Sequence, residues 1–432
     1  MSIGSARAGS LSRRDALRLG GSLVAAGLGS SALAACARAP KQGSGGGGDQ
    51  FRIYWNAGHV YDAYAEIIER FEKDHGVEVV WEKFQWEDMR PKLLADFESG
   101  NVPDLVEDPS AWATEFAVTG NVASLRSYID SDGAEMGFPD DWQEDTVRRY
   151  TVDGQVYGIQ LHLTSQQLIY NKAMFSDAGI NKPPATWDDF LATARELTRG
   201  EVHGCALNYD YTYSTPWLLQ NGVQYYEGSE LLVPRDAAVE ALQFQRDLVH
   251  KHKVSPVPPV STDYTGPRNV FVAKKTAMIF TGPWDIAPIK EAAPDIDFGV
   301  APALSRKTQA TIAAGTGVFI PKGAKHADLA WDLIKRMTAL DVELKVTEEA
   351  DMTMPRKSWA EDPKIASDPV LGAFGEGLSY AEDWWDALNR TGKRGAVDEL
   401  YKSMYQQVVV QNKPAADAVN TFVEQATRQV KG

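Results

Sequence analysis

Cysteine is nearly absent from this chain: Cys36 and Cys205 are the only two in 432 residues, so no disulfide framework can hold the fold even in an oxidising compartment. Long apolar runs are missing too, and a mean hydropathy of −0.32 speaks against a chain that crosses a membrane many times. Positive charge is in deficit. The 44 basic against 59 acidic residues give a formal charge of −15 and a pI near 5.0, a field that repels phosphate backbones and anionic lipid and sets nucleic-acid partners aside. Catalytic signatures are also lacking: there is no G-x-S-x-G elbow, no phosphate-cradling G-x-x-x-x-G-K-[ST] and no H-E-x-x-H. Asp130-Ser131-Asp132-Gly133 starts like a calcium loop but lacks the third acidic position before glycine, so it reads as a turn. The seven histidines show no ligand spacing, and His250 and His252, two apart on a helix, point to different sides. Neither a metal nor a cofactor is expected. No repeat of 20 to 50 residues is visible, which excludes a solenoid. Cys205, a lone thiol, reads as a small buried residue.

What is present begins with an address. Residues 1–35 hold Arg7, Arg13, Arg14 and Arg18 against one acid, Asp15, and then a glycine-rich, weakly apolar run over 19–35. This is signal-peptide grammar, and the run is too short and too interrupted for a membrane span. Ser12-Arg13-Arg14-Asp15-Ala16-Leu17 resembles a twin-arginine export motif, with Ala16 where Phe is common; general secretion stands as the alternative route. Leu33-Ala34-Ala35-Cys36 looks like a lipobox, in which Cys36 is acylated and becomes the mature N-terminus. Residues 36–50 then form a polar tether with Gly45 to Gly48 consecutive, a flexible coil with a reach of roughly 20 Å.

The remaining length allows two or three domains with ample core. A strand is predicted over 51–55, followed by a helix in which Tyr64, Ile67, Ile68 and Phe71 fall at i, i+3, i+4 and i+7. Strands over 77–81, 104–106 and 277–280 and helices over 88–98, 111–118, 236–251 and 327–337 follow, with an extended stretch over 156–169 and a largely helical tail from about 397. Thr186-Trp187-Asp188-Asp189 starts a further helix in the manner of a capping box. Strands alternating with amphipathic helices predict an α/β fold, a mostly parallel sheet with helices on both faces. The chain also carries 12 Trp and 16 Tyr. Flat apolar faces with polar tips suit stacking on sugar rings, although any one tryptophan read alone favours a core position.

Several runs resemble the extracellular solute-binding family that includes the maltose-binding protein. They are 65–74, Gly100-Asn101-Val102-Pro103-Asp104-Leu105, 153–158, 168–172, Pro184-Ala185-Thr186-Trp187, Met278-Ile279-Phe280-Thr281-Gly282-Pro283-Trp284 and 317–323, and their order spans essentially the whole mature chain. The resemblance implies the two-lobed periplasmic-binding-protein fold (type II) with a ligand cleft between the lobes. It places the first lobe at 51–160 plus 286–345 and the second at 161–285 plus 346–432. It further implies a monomeric lipoprotein without turnover of its own, whose partners are a sugar and the permease subunits of an ABC importer, and whose only membrane contact is the lipid on Cys36.

The same likeness implies binding positions. Trp284 matches the family's stacking tryptophan. Trp55, Asn56 and His59 lie at and after the end of the first strand, although His59 stands where relatives carry a charged residue. Asp108 follows the third strand, with an N-cap role as the alternative. His162 lies on the extended crossover, Asp210 and Tyr211 in an acidic-aromatic cluster of the second lobe, and Asp285, Arg356, Trp384 and Trp385 complete the set. Arg356 fits a surface cation equally well, and one of the paired tryptophans must point away if that stretch is extended. Two other solutes or roles compete: a polar solute such as a glycerophosphodiester, and a secreted glycoside hydrolase whose cleft would also be lined by rings and carboxylates.

Overall fold

The computed structural model describes residues 50–431 except 110, 225, 228, 229, 232 and 262. Residues 1–49, where an export segment over 1–35, an acylated Cys36 and a tether are expected, lie outside the described residues. Among the described residues no helix is long and apolar enough to cross a membrane.

The first strand, Gln50–Asn56, is the organising element. It pairs in parallel with Glu78–Phe84 along its whole length and with Leu105–Pro109 on its other edge. Two short antiparallel strands, Thr316–Phe319 and Ile159–Gln160, extend the sheet to five. Alternation along the strand sends Phe51, Ile53 and Trp55 into one core and Tyr54 into another, so the sheet is buried on both faces. Helix Asp62–His75 covers the first face with Tyr64, Ile67, Ile68 and Phe71, the stripe expected from their spacing, and ends where Gly76 takes φ 66°. Helices Trp86–Ser99 and Trp112–Val118 cover the second through Met89, Leu93, Trp112 and Phe116.

A second body is built on Gln167–Asn171, flanked antiparallel by Met278–Thr281 and Phe298–Ala301, with a smaller sheet of Thr164–Ser165, Thr311–Ala314 and Ala381–Glu382 beside it. The mostly parallel sheet expected from the alternation therefore describes only the first body. The expected lobe limits also shift. Residues 286–314, assigned by resemblance to the first lobe, supply Phe298–Ala301 and Thr311–Ala314 to the second body's sheets. Met352, Met354 and Trp359, assigned to the second, are buried in the first body's core. The reason is pairing: after Met278–Thr281 the chain crosses over to the other edge of Gln167–Asn171 and pairs there before it leaves.

The return is abrupt. Ala314 pairs with Thr164 and Thr316 with Pro109, leaving Gly315 alone to switch bodies. Its φ of 134° and the 1.9 Å that would separate a Cβ from the His162 carbonyl oxygen exclude every other residue.

Candidate ligand cleft

Where the two bodies face each other they enclose a cavity of about 640 Å³. The first body contributes side chains from just after its strand ends, the position at which open α/β sheets bind ligands. His59 follows the first strand, Trp86 the second, and Trp112 the third. Trp86 meets Trp112 edge-on with centroids 6.0 Å apart and His59 at 5.8 Å. The second body presents Gln166, Asp210, Tyr211, Tyr213, Tyr264, Trp284 and Trp385.

Trp284 is half-buried in the single turn Pro283–Asp285 and packs against the cores of both bodies. Its ring lies over Gly282, where a Cβ would come within 2.2 Å of it, so the glycine is required by close approach. Asp210 caps the turn Tyr211–Ser214 by accepting from Thr212 N at 2.9 Å and Thr212 Oγ1 at 2.8 Å, while burial pushes its carboxyl above the ordinary range. Trp385 donates Nε1 to Asp398 and lies under the Arg394 guanidinium.

Three cations of the cleft each hold a carboxylate, and Lys393 lines it as well. Glu115 holds Arg90 Nη2 at 2.7 and 2.8 Å and also accepts from Gly395 N at 2.9 Å; Arg394 pairs with Asp398 and Lys402 with Glu87. Among the described residues, three buried atoms of lining side chains have no hydrogen-bond partner: the acceptor Gln166 Oε1 and the donors Trp284 Nε1 and Arg90 Nη1.

Of the positions singled out from sequence, His59, Asp210, Tyr211, Trp284 and Trp385 line this cavity; the others do not. Trp55 is core, its Nε1 bonded to His59 O, because alternation turns it under helix Asp62–His75. Asn56 is fully buried and shapes the loop by accepting from Gly58 N. Asp108 accepts from Ala113 N in the first turn of the following helix, whose N-cap is Ala111, and from Tyr150 OH, both at 2.7 Å; burial pushes its carboxyl up to about 6. His162 is buried between Tyr64 OH at 3.0 Å and Thr316 Oγ1 at 2.8 Å, and burial, with His59 nearby, drives its pKa well below the ordinary imidazole value. Asp285 is likewise held up, at about 6, by burial against the opposing pull of Arg268 at 2.9 Å and Thr281 at 2.7 Å. Arg356 serves the first body: it pairs with Asp141, donates to Thr338 O and lies 3.9 Å above the Trp142 ring. Trp384 is core.

Trp86, Trp112, Tyr264, Gln166 and the Arg90–Glu115 pair were not anticipated. The first two stand just past strand ends, the signal that drew attention to Trp284, and were readable from it. Glu107 was missed as well. It is fully buried, binds His59 Nδ1 at 2.6 Å and accepts from Asn56 N at 2.8 Å. His59, Glu107 and His162, from three distant segments, bring nitrogen and oxygen ligand atoms within 4.8 Å of one another, a proximity that spacing along the chain could not disclose.

The pattern of the bacterial extracellular solute-binding protein family matches residues 66–373. The chain belongs to that family. This solute-binding protein is 26% identical over 325 residues to a binding protein of Brucella abortus, covering 72% of this chain and 77% of the relative. It is 24% identical over 344 residues to the maltotriose-binding protein of Pyrococcus abyssi, covering 76% and 71%. Its fold superposes on a solute-binding protein of an ABC transporter from Thermotoga lettingae, bound with α-D-tagatose, with a TM-score of 0.79 at 24% identity, over 88% of this chain and 99% of that one. The two-lobed architecture is shared.

Proposed function

We propose that this solute-binding protein captures a neutral carbohydrate in the interlobe cleft and delivers it to an ABC-type importer. The observation that carries the reading is the combination in one cavity of aromatic faces with buried donors and an acceptor that have no partner among the described residues. A sugar hydroxyl both donates and accepts, so one ligand class satisfies Gln166 Oε1, Trp284 Nε1 and Arg90 Nη1 together, and its apolar ring faces stack on tryptophan. A glycerophosphodiester would ask for cations free to pair with phosphate; Arg90, Arg394 and Lys402 each hold a carboxylate, which leaves Lys393 as the lining cation to meet it. Relatives named for maltotriose, arabinooligosaccharide and diacetylchitobiose binding support the same ligand class.

The importer's permease subunits are the partners this role requires, and the protein acts as a monomer without turnover, tethered through acylated Cys36. Thermal unfolding over a panel of neutral mono- and oligosaccharides tests the reading. The cognate sugar at about 100 times its Kd adds about 2.7 kcal/mol to stability and raises the melting temperature. A panel without effect, alongside a shift with glycerophosphocholine, would transfer the assignment to the phosphodiester class.

A further inference from the structure

The buried cluster that borders the cleft at His59 is not needed to explain sugar capture. His59 lies in the loop after strand Gln50–Asn56, Glu107 within strand Leu105–Pro109, and His162 on the crossover between Ile159–Gln160 and Thr164–Ser165. All three are nine-tenths or more buried. Two imidazoles and one carboxylate from separate elements are the donor set of open zinc sites, in which a fourth position is left for water or substrate. We propose that His59, Glu107 and His162 form a binding site for a divalent transition-metal cation of the zinc class, bordering the ligand cavity through His59.

The geometry fits such a site with small adjustments. Tetrahedral ligands at about 2.0–2.1 Å from zinc lie about 3.3 Å from one another. Here the ligand atoms lie within 4.8 Å, and His59 Nδ1 and Glu107 Oε1 are 2.6 Å apart. The cation takes the place of the hydrogen bond between that pair, with His59 ligating through Nδ1 as a neutral imidazole whose ring proton is carried on Nε2. Outer contacts that orient ligands are already built: Asn56 N donates to Glu107 Oε2 at 2.8 Å, and Thr316 Oγ1 meets His162 Nδ1 at 2.8 Å. His162 Nε2 ligates by giving up its 3.0 Å contact with Tyr64 OH. His59 and Thr316 both line the cleft, so the fourth position lies on the solute side and a metal there would adjoin the bound ligand.

The test uses the mature chain, stripped with chelator and titrated with Co²⁺ while its visible absorption is followed. One equivalent is expected to give the intense d–d bands of low-coordinate, histidine-ligated cobalt, displaced by Zn²⁺. His59→Phe, which keeps an aromatic ring beside Tyr61 and Trp86, should weaken Co²⁺ binding at least 100-fold. His326→Asn, which removes the separate His326–Asp104 pair, should not change it. Absence of such bands from the parent protein overturns the proposal without recourse to any variant, as does full retention of them in folded His59→Phe. The absorption readout needs no sugar, so its failure leaves the carbohydrate reading standing.

Discussion

Lys402 Nζ reaches Glu87 Oε1 at 2.9 Å across the mouth of the cleft, joining helix Arg394–Tyr405 of the second body to helix Trp86–Ser99 of the first. The side chains are 25% and 33% exposed, so the pair contributes at most about 1 kcal/mol to holding the bodies together. Lys402→Met should therefore weaken sugar affinity by less than about fivefold at low ionic strength, and the difference should shrink in high salt as screening removes the parent's advantage. Calorimetric titration at two salt concentrations measures both. A loss that is large and indifferent to salt would place Lys402 on the ligand instead.

Asp285 yields a pH signature with a definite sign. Its carboxyl stands at about 6 in the folded protein against about 3.9 in the unfolded chain. The folded state thus binds the proton more tightly, and this group's contribution to stability is full below pH 4 and is lost as pH rises through 6, by up to about 3 kcal/mol. In Asp285→Asn the advantage of the parent should decline between pH 4 and 6. Chemical denaturation of both proteins across that window decides it; a difference that grows with pH would show that the Arg268 pairing outweighs burial.

These groups also show how far the sequence could be read. Helix Asp62–His75 was legible because its apolar stripe repeats at helical spacing and one short segment contains the whole signal. Asp285, Arg356 and Asp108 were legible as polar residues in informative places but not as to partner, because Arg268, Asp141 and Tyr150 come from other elements. Trp55 and Trp284 both stand near strand ends. One lies within its strand and turns into the core by alternation, whereas the other is carried beyond its strand into a single turn by Gly282-Pro283. The switch at Gly315 depends on the His162 carbonyl packed against it, which no local pattern contains.

Anchoring is a separate prediction, since it rests on Leu33-Ala34-Ala35-Cys36 and the glycine-rich run that follows. Replacing Cys36 with Ala should move the protein from the membrane fraction to the soluble exported fraction while leaving sugar affinity unaltered. Equal membrane retention of parent and Cys36→Ala in fractionated cells would remove the lipid from the account.

Trp284 gives the sharpest separation of binding from folding. From its place after a strand end, truncation to Ala would be expected to cost affinity and leave the unliganded protein nearly untouched. Its packing modifies that expectation: the ring is only half-buried, yet it covers Gly282 and touches both cores, so its loss also frees a bare glycine turn. Trp284→Ala should lower sugar affinity by about 2 to 4 kcal/mol, the range of a binding hot spot. It should lower unliganded stability by a smaller amount, below the roughly 3 to 5 kcal/mol of a fully buried tryptophan. Trp284→Phe should recover most of the stability by covering Gly282 again, but not the hydrogen bond that Nε1 is free to give the ligand. Titration calorimetry and unliganded melts on the two variants separate these terms. If Phe restores affinity fully, Nε1 makes no contact with the sugar and only the ring face counts; if Ala leaves affinity unchanged while destabilising the protein, Trp284 belongs to the packing between the bodies and the stacking platform must be sought at Trp86 and Trp112.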